Sequence, residues 1–426
     1  MSPASSGRAQ PAGISRQPGA PAVVLALLCA LYLILFVNRV NLSTAAPLVK
    51  AELGLSNTQL GLVFSAFAIP YAVLQLAGGW IGDTFGPRLV LSVCCAVVAL
   101  STAFTGAAAG FASLFVLRIA LGLGEGPAFP TATRAMSRWM RAERWGFAQG
   151  ITHSFARMGN AITPPLMAGL LAFASWRTSF VILGAASLVW LAVWAWYFRD
   201  NPREHPAMTE ADLRLLLAPA TTARPQIPWW PLARRMLPVT ATDFCYGWTL
   251  WLFLSWIPSF FFESYRLDLR ASALFSGGVL FAGVVGDTVG GIWTDRLLRA
   301  TGNVRLARRA VLVTGFLGAF AFLLPVILFH NLTVAAACLS AAFFFAELIV
   351  APMWSVPMDI ARRYAGSASG MMNFGFGLAG LVSPSSFGYL VDLTGSWVVP
   401  FLGSVVLLLI GALLALRLRP DEEFAG

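Results

Sequence analysis

The sequence predicts an all-α membrane protein whose twelve transmembrane helices form two six-helix pseudo-repeat bundles. Three observations carry that prediction. Hydrophobic residues make up 58% of the 426 and charged residues only 11%, where an ordinary globular chain carries about 25% charged residues. Apolar runs near the ~20 residues that a helix needs to cross a bilayer recur along almost the whole length. Gly79-Trp-Ile-Gly-Asp83 closes the second run and returns as Gly291-Ile-Trp-Thr-Asp295 at the close of the eighth, 212 residues later. That offset is near half the chain and reads as an internal duplication.

Taken in order, residues 1–20 are rich in Ala, Pro, Gly and Ser and read as a disordered cytoplasmic tail. Arg8 and Arg16 precede a run of full span length, which argues against a cleavable signal. An N-terminal six-helix bundle is expected over 21–199, with spans near 22–45, 57–79, 88–108, 111–134, 145–173 and 176–198. Residues 200–235, with Pro202, Pro206, Pro225, Pro228 and Pro231, form a cytoplasmic linker. A C-terminal bundle follows over 236–418, with spans near 236–262, 271–295, 307–329, 332–357, 366–391 and 397–418, and 419–426 is a short cytoplasmic tail.

The net charge of +10 is sorted by loop, which argues against nucleic acid as the partner. With both termini cytoplasmic, 22 of the 29 basic residues fall on that side, among them Arg134, Arg138, Arg141 and Arg144. Lys50, Arg177, Arg266 and Arg270 fall on the other. This is the positive-inside bias of a multi-pass protein of the cell (inner) membrane. Three arginines, Arg39, Arg118 and Arg157, lie within spans. The five cysteines all fall in apolar runs without metal-ligand spacing and read as small buried hydrophobes.

In the fourth span, Arg118 and Glu125 stand seven residues apart among apolar and small neighbours. On a helix they share one face, roughly 10 Å apart along the axis. Ionisable residues at that depth are functional-site candidates. A guanidinium stays charged and needs a carboxylate, a substrate anion or water beside it, so Arg118 reads either as a bidentate clamp on a substrate carboxylate or as half of an ion pair. Arg39 has the same alternatives. Glu125, unlike either arginine, can gain and lose a proton.

Several segments carry a specific resemblance. Gly79-Trp-Ile-Gly-Asp83-Thr-Phe-Gly86-Pro-Arg88 resembles the signature loop of the major facilitator superfamily. Its anion:cation symporter family, which includes sugar-acid, phthalate and tartrate permeases, resembles this chain at Asn38-Arg39, Arg118 through Pro130, Ser137-Arg-Trp139 with Glu143-Arg144, and Thr163-Pro164-Pro165-Leu166. Ser255-Trp-Ile-Pro258, Pro352-Met-Trp-Ser-Val-Pro357 and Gly366-Ser-Ala-Ser-Gly-Met-Met-Asn373 extend the match through the second half. The resemblance implies that Arg39 and Arg118 help hold an organic anion and that Glu125 is a proton-coupling site. It also implies that Tyr71 and Asn373 are pocket positions, and that Asp83 with Arg88, and Asp295, act as conformational latches.

Two positions depart from the family. Asn38 stands where many sugar-acid members have a titratable aspartate, which removes one candidate proton site. Arg157 stands where an asparagine is common, inside His153-Ser154-Phe-Ala-Arg157-Met-Gly159-Asn160. A third buried cation suits a substrate with two carboxylates, or else it is neutralised by Glu347, Asp243 or Asp287. Asp243 and Glu347 are also the candidates for a second proton. Asn38, Tyr246 and Ser355 are further substrate-site candidates on apolar helices, where Tyr246 and Ser355 either orient a substrate or cap a neighbouring carbonyl; His153, also a candidate of the site, reads either as a polar packing residue or as a proton relay.

The resulting expectation is a secondary active transporter, not an enzyme, that takes up a small organic carboxylate with protons by alternating access. It would work as a monomer in the bilayer without a bound cofactor or metal. The alternatives are a proton-coupled drug or metabolite exporter of the same fold and a non-transporting nutrient sensor. Gly375-Phe-Gly377-Leu-Ala-Gly380 fits a dinucleotide fingerprint by letter only, since no strand–turn–helix unit surrounds it.

Overall fold

The computed structural model describes residues 19–140, 145–210, 213, 216, 227–361 and 364–424. Most of the tail expected over 1–20, residues 217–226 of the linker, and Arg141, Glu143 and Arg144 lie outside the described residues. Among the described residues, fifteen α-helices account for the twelve spans in order. The first half comprises α1 (Ala20–Leu53), α2 (Asn57–Ala66), α3 (Ala68–Phe85), α4 (Pro87–Thr105), α5 (Phe111–Glu125), α6 (Ala128–Trp139), α7 (Trp145–Leu171) and α8 (Trp176–Tyr197). The second comprises α9 (Trp229–Ser264), α10 (Leu269–Thr301), α11 (Val304–Leu328), α12 (Leu332–Leu348), α13 (Val350–Ile360), α14 (Ala365–Thr394) and α15 (Phe401–Arg417). Nine stretches of described residues are long and apolar enough to cross a membrane by themselves.

Three expected single spans are broken, and one cause explains all three. The second span breaks after Ala66, the fourth at Gly126 and Pro127, and the tenth after Leu348. In each, a proline follows four residues after the break point: Pro70, Pro130 and Pro352. A proline has no N–H for the carbonyl four residues back, and its ring crowds that carbonyl. The ladder therefore opens one turn upstream of the proline.

Other ends follow ordinary capping chemistry. α1 runs on past its expected end to Leu53 and is closed by Gly54 at φ 62°, a left-handed position that favours glycine. Ser56 opens α2 with a capping box: its hydroxyl accepts from the Gln59 N–H at 3.1 Å, and Gln59 Oε1 accepts from the Ser56 N–H at 3.0 Å. The described residues after α15 pack back on the second half. Arg305 holds Asp421 at 2.6 Å, and the Phe424 N–H donates to the Ile360 carbonyl at 2.7 Å.

The halves meet where α2 and α3 pack on α14, α7 on α10, and α1 on α9. At the end where α2 begins, the Asp392 carboxylate of α14 accepts four hydrogen bonds from the other half. The donors are the Asn57 N–H at 3.2 Å and Nδ2 at 2.7 Å, and the Thr58 N–H at 2.6 Å and hydroxyl at 2.7 Å. A carboxylate of one half thereby satisfies the free N–H groups that open a helix of the other. Backbones approach closely beside it: a Cβ added at Gly61 would lie 2.5 Å from the Pro384 carbonyl oxygen, and one at Gly388 would collide with that of Asn57. Lys50 and Glu263 stand 3.9 Å apart at the same end.

At the opposite end the described ion pairs stay inside one half. Arg134 bonds Asp83 at 2.9 Å, and Arg308 bonds Asp359 at 2.9 Å. Asp83 and Arg88 do not pair with each other. Gly86, at φ 80°, turns the chain so that Arg88 starts α4 facing α8, where its backbone N–H donates to Asp200 at 2.9 Å and its Nε to the Ala195 carbonyl at 3.2 Å. Asp295 accepts from Arg299 through its backbone carbonyl at 3.3 Å.

Candidate functional site

The breaks place the charges. α5 starts at Phe111 and stops at Glu125, so that Glu125 occupies the last turn before the proline-induced gap, two turns beyond Arg118. Both side chains are buried, Glu125 at 0% exposure and Arg118 at 6%. They are not partners of each other. Glu125 Oε2 takes both Nη2 (2.6 Å) and Nε (3.1 Å) of Arg39 from α1. The Arg39 guanidinium also lies 4.4–4.9 Å from the ring centres of Phe36, Tyr71 and Phe67. This aromatic sleeve offsets part of the cost of burying the cation. The acid and the aromatic faces together hold Arg39 in place.

Arg118 is under-satisfied. Its Nη1 donates to the Arg39 carbonyl at 3.3 Å, and its Nη2 is buried without a hydrogen-bond partner. It borders a cavity of about 10 Å³, room for one water. Arg39, Ser43 and Phe67 line that cavity from the first half, Trp251 and Ser255 from the second. A buried donor left open toward the seam between the halves is costly unless an acceptor arrives.

Arg157 of α7 reaches across the seam. Its Nε lies 3.3 Å from Asp287 Oδ2 on α10 and 3.3 Å from Glu347 Oε2 on α12. Tyr246 on α9 donates its hydroxyl to the other oxygen of Glu347 at 3.4 Å. Of the three acids expected to neutralise Arg157, two do so. Asp243, 4% exposed, faces the backbone of Phe376 on α14. His153, one turn before Arg157, stands edge-on to Tyr32 with ring centres 5.6 Å apart.

Gln75, which the sequence reading passed over, connects two residues that it named. Its amide nitrogen donates to the Tyr71 hydroxyl at 2.7 Å, and its carbonyl oxygen accepts from Asn373 Nδ2 across the seam. The signal was present: Gln75 follows Tyr71 by four residues and so shares its helix face. Asn38, expected in the substrate site, bonds into the first bundle, and Ser355 takes the backbone-capping alternative. Asn38 Nδ2 donates to the Ile34 carbonyl at 2.9 Å and to Ser187 of α8 at 3.0 Å, which turns it into the first bundle. The Ser355 hydroxyl donates to the Ala351 carbonyl one turn back at 2.9 Å, the usual fate of a lone serine on an apolar helix.

The site is thus a seam between halves, with the buried open donor of Arg118, the cross-seam ion triad of Arg157 and the cross-seam amide bridge of Gln75. Chains similar to this one are transporters. The probable sulfoacetate transporter of Cupriavidus necator is 50% identical over 402 residues, covering 93% of this chain and 94% of its own. The hexuronate transporter of Bacillus subtilis is 30% identical over 392 residues, covering 90% and 92%. Among solved structures, a bacterial homologue of the human lysosomal transporter Spinster, in an inward-facing and unoccupied conformation, superposes with a TM-score of 0.78. It covers 97% of this chain and 100% of its own at 15% identity, which speaks to the fold alone. The family model described as Major Facilitator Superfamily matches residues 28–384. The chain is a multi-pass membrane transporter and belongs to the major facilitator superfamily.

Proposed function

We propose that this transporter takes up a small organic acid anion together with protons, with the bundles 21–199 and 236–418 rocking about the seam. The carrying observation is Arg118: a buried guanidinium with an unpartnered Nη2, bordering a cavity lined by both halves. A planar fork with a spare donor suits a carboxylate or sulfonate. The names of the relatives support an anionic substrate, and the one at 50% identity makes sulfoacetate the first candidate. Both termini are cytoplasmic in this reading, so the Asn57 end faces outward and is closed by Asp392, and the Asp83 end faces the cytoplasm.

Glu125 is the proton site of the reading. Ionised, it holds Arg39. Protonated, it loosens that grip and frees Arg39 to join Arg118 on the anion. Binding must favour the closing transition differentially, since a ligand with equal affinity for both orientations shifts nothing. A single chain contains both bundles and the seam, which supports a working monomer; the coupling ion of this reading is the proton.

The test is uptake by the purified protein in liposomes. Labelled sulfoacetate, a hexuronate and a galactonate are offered with an inside-alkaline pH gradient. Accumulation of at least one above equilibrium, abolished by a protonophore, is expected. Equilibration without accumulation would remove the proton coupling, and no uptake of any acid would remove the anion reading.

A further inference from the structure

Arg157 does not use its guanidinium fully. Its nearest approach to each of the two acids is through Nε, at 3.3 Å. Among the described residues, no hydrogen bond is made by its two η nitrogens. Glu347 Oε2, although at ion-pair distance, makes no hydrogen bond of good angle there. The fork that would grip an oxyanion side-on therefore remains open, while two carboxylates hold the cation from its flank. Those carboxylates belong to the other half. The three side chains range from 21% exposed at Asp287 and 14% at Arg157 to 0% at Glu347, so the cluster is accessible at Asp287 and Arg157 and closed at Glu347. His153, one turn before Arg157, packs edge-on to Tyr32, Tyr32 packs on Phe129 with ring centres 4.9 Å apart, and Phe129 lies 5.9 Å from the Arg39 guanidinium, so an aromatic chain links the Arg157 segment to the Arg39–Glu125 pair.

We propose that Arg157 binds a second anionic group of the substrate, and that Glu347 and Asp287 stand in for that group when the carrier is empty. This rests on the anion-transport reading and gives the substrate class: an acid with two charged heads, one on Arg118 and one on Arg157. The displaced Glu347 then takes a proton, because an unpaired carboxylate at 0% exposure is far costlier than a neutral carboxyl. The groups facing Glu347 are Arg157 from α7, Asp287 from α10 and Tyr246 from α9. His153 faces Arg157 from the preceding turn, and Asp243 lies one turn before Tyr246. No titratable group of α11 or α13 acts on Glu347 among the described residues. With Glu125 and Glu347 each loading one proton, a dianion enters without net charge, although Asn38 removes the proton site expected beside Arg39. On release the two acids reclaim Arg157, which neutralises the cation before the empty carrier returns.

The experiment measures binding of sulfoacetate, the dianion, and glycolate, a short acid with a neutral head, to the purified protein at pH 6 and pH 8. Wild type is expected to prefer sulfoacetate. Arg157→Asn should weaken sulfoacetate on the order of 10- to 100-fold, as for loss of a charge-assisted bond pair, and leave glycolate unchanged. Glu347→Gln should bind sulfoacetate more tightly than wild type at pH 8 and lose the gain in affinity that wild type shows at pH 6. Equal weakening of both acids in Arg157→Asn, or no weakening of either, overturns the second-head assignment and leaves anion transport standing. Weaker sulfoacetate binding in Glu347→Gln with glycolate unaffected overturns the competition, and the glycolate arm reports that the variant is folded. A wild type that binds neither these nor any other organic acid overturns the transport reading itself.

Discussion

Glu125 and Glu347 hold matching places in the two halves. They stand 222 positions apart, each near the end of the first segment of a broken span and each five residues before the proline that causes the break. Both are 0% exposed and both face an arginine of another helix. The difference lies in the partner. Arg39 belongs to the same half as Glu125, whereas Arg157 belongs to the half opposite Glu347. A rocking motion therefore carries the first pair along intact and pulls the second apart. The two halves thus carry a carboxylate at the same place in a broken span, and the choice of arginine gives each a different dependence on such a motion.

The first prediction concerns Glu125. Glu125→Gln keeps an acceptor near Arg39 but removes the group that can exchange a proton. Uphill accumulation driven by a pH gradient should vanish, while exchange of labelled for unlabelled substrate across the membrane continues. Counterflow in liposomes separates the two. Intact accumulation in the variant would move the proton site elsewhere. Glu125→Leu, by contrast, strands Arg39 as an unpaired buried cation, and breaking a buried pair in this way costs about 3–5 kcal/mol. Its unfolding midpoint in detergent should fall well below that of Glu125→Gln.

A second prediction follows from the open donor on Arg118. Lysine supplies the charge but only as a point, and its ammonium cannot both reach the Arg39 carbonyl and present a planar fork to an anion. Arg118→Lys should lower substrate affinity on the order of 10- to 100-fold, the worth of one or two charge-assisted bonds. Equilibrium binding by calorimetry reads this directly. An unchanged affinity would mean that Nη2 is satisfied by water in the loaded state.

The spans, the two halves and the depth of the charges were legible because each depends on composition over ~20 residues. Pairing was not. Arg118 and Glu125 share a face of one helix, yet Glu125 turns to Arg39, 86 residues earlier, because α1 presents its guanidinium inside an aromatic sleeve. Periodicity records which face a residue occupies and not which helix packs there. The breaks at Ala66, Gly126 and Leu348 were readable in principle from Pro70, Pro130 and Pro352. Proline alone does not decide the matter, since α7 runs unbroken through Pro164 and Pro165. Asn38 stands out because many sugar-acid members of the family carry an aspartate there, but adjacent helix positions point about 100° apart, and Asn38, unlike Arg39, bonds Ser187 inside the first bundle.

Gln75 yields a third prediction. Replacing it by leucine removes the partner of Asn373 Nδ2 and of the Tyr71 hydroxyl in one step. Each buried polar group left unsatisfied costs about 1–3 kcal/mol, and one of the two bonds spans the seam. Gln75→Leu should therefore lower the unfolding midpoint measurably, and the double variant Gln75→Leu with Asn373→Leu should recover part of the loss. A double variant no more stable than the single would show that the two amides are not energetically linked.

The closed end of the seam gives the last prediction. Asp392 accepts four hydrogen bonds from Asn57 and Thr58, and Gly388, one turn before it, lies against the Asn57 carbonyl. These contacts exist only while the two halves touch at that end. Substitutions there penalise one orientation and spare the other. Asp392→Ala removes the acceptor of several charge-assisted bonds, each worth about 1.5–3 kcal/mol, and Gly388→Ala pushes the backbones apart by steric contact. Both should populate the orientation open at the Asn57 end. Ser43, 2% exposed, borders the cavity behind this closure. In a Ser43→Cys background, a membrane-impermeant thiol reagent added from outside should react about tenfold faster or more in either variant. The native cysteines give a low background, because four are buried and Cys338 is half-buried. Equal labelling rates with and without Asp392 would show that the carboxylate caps α2 without holding the halves together.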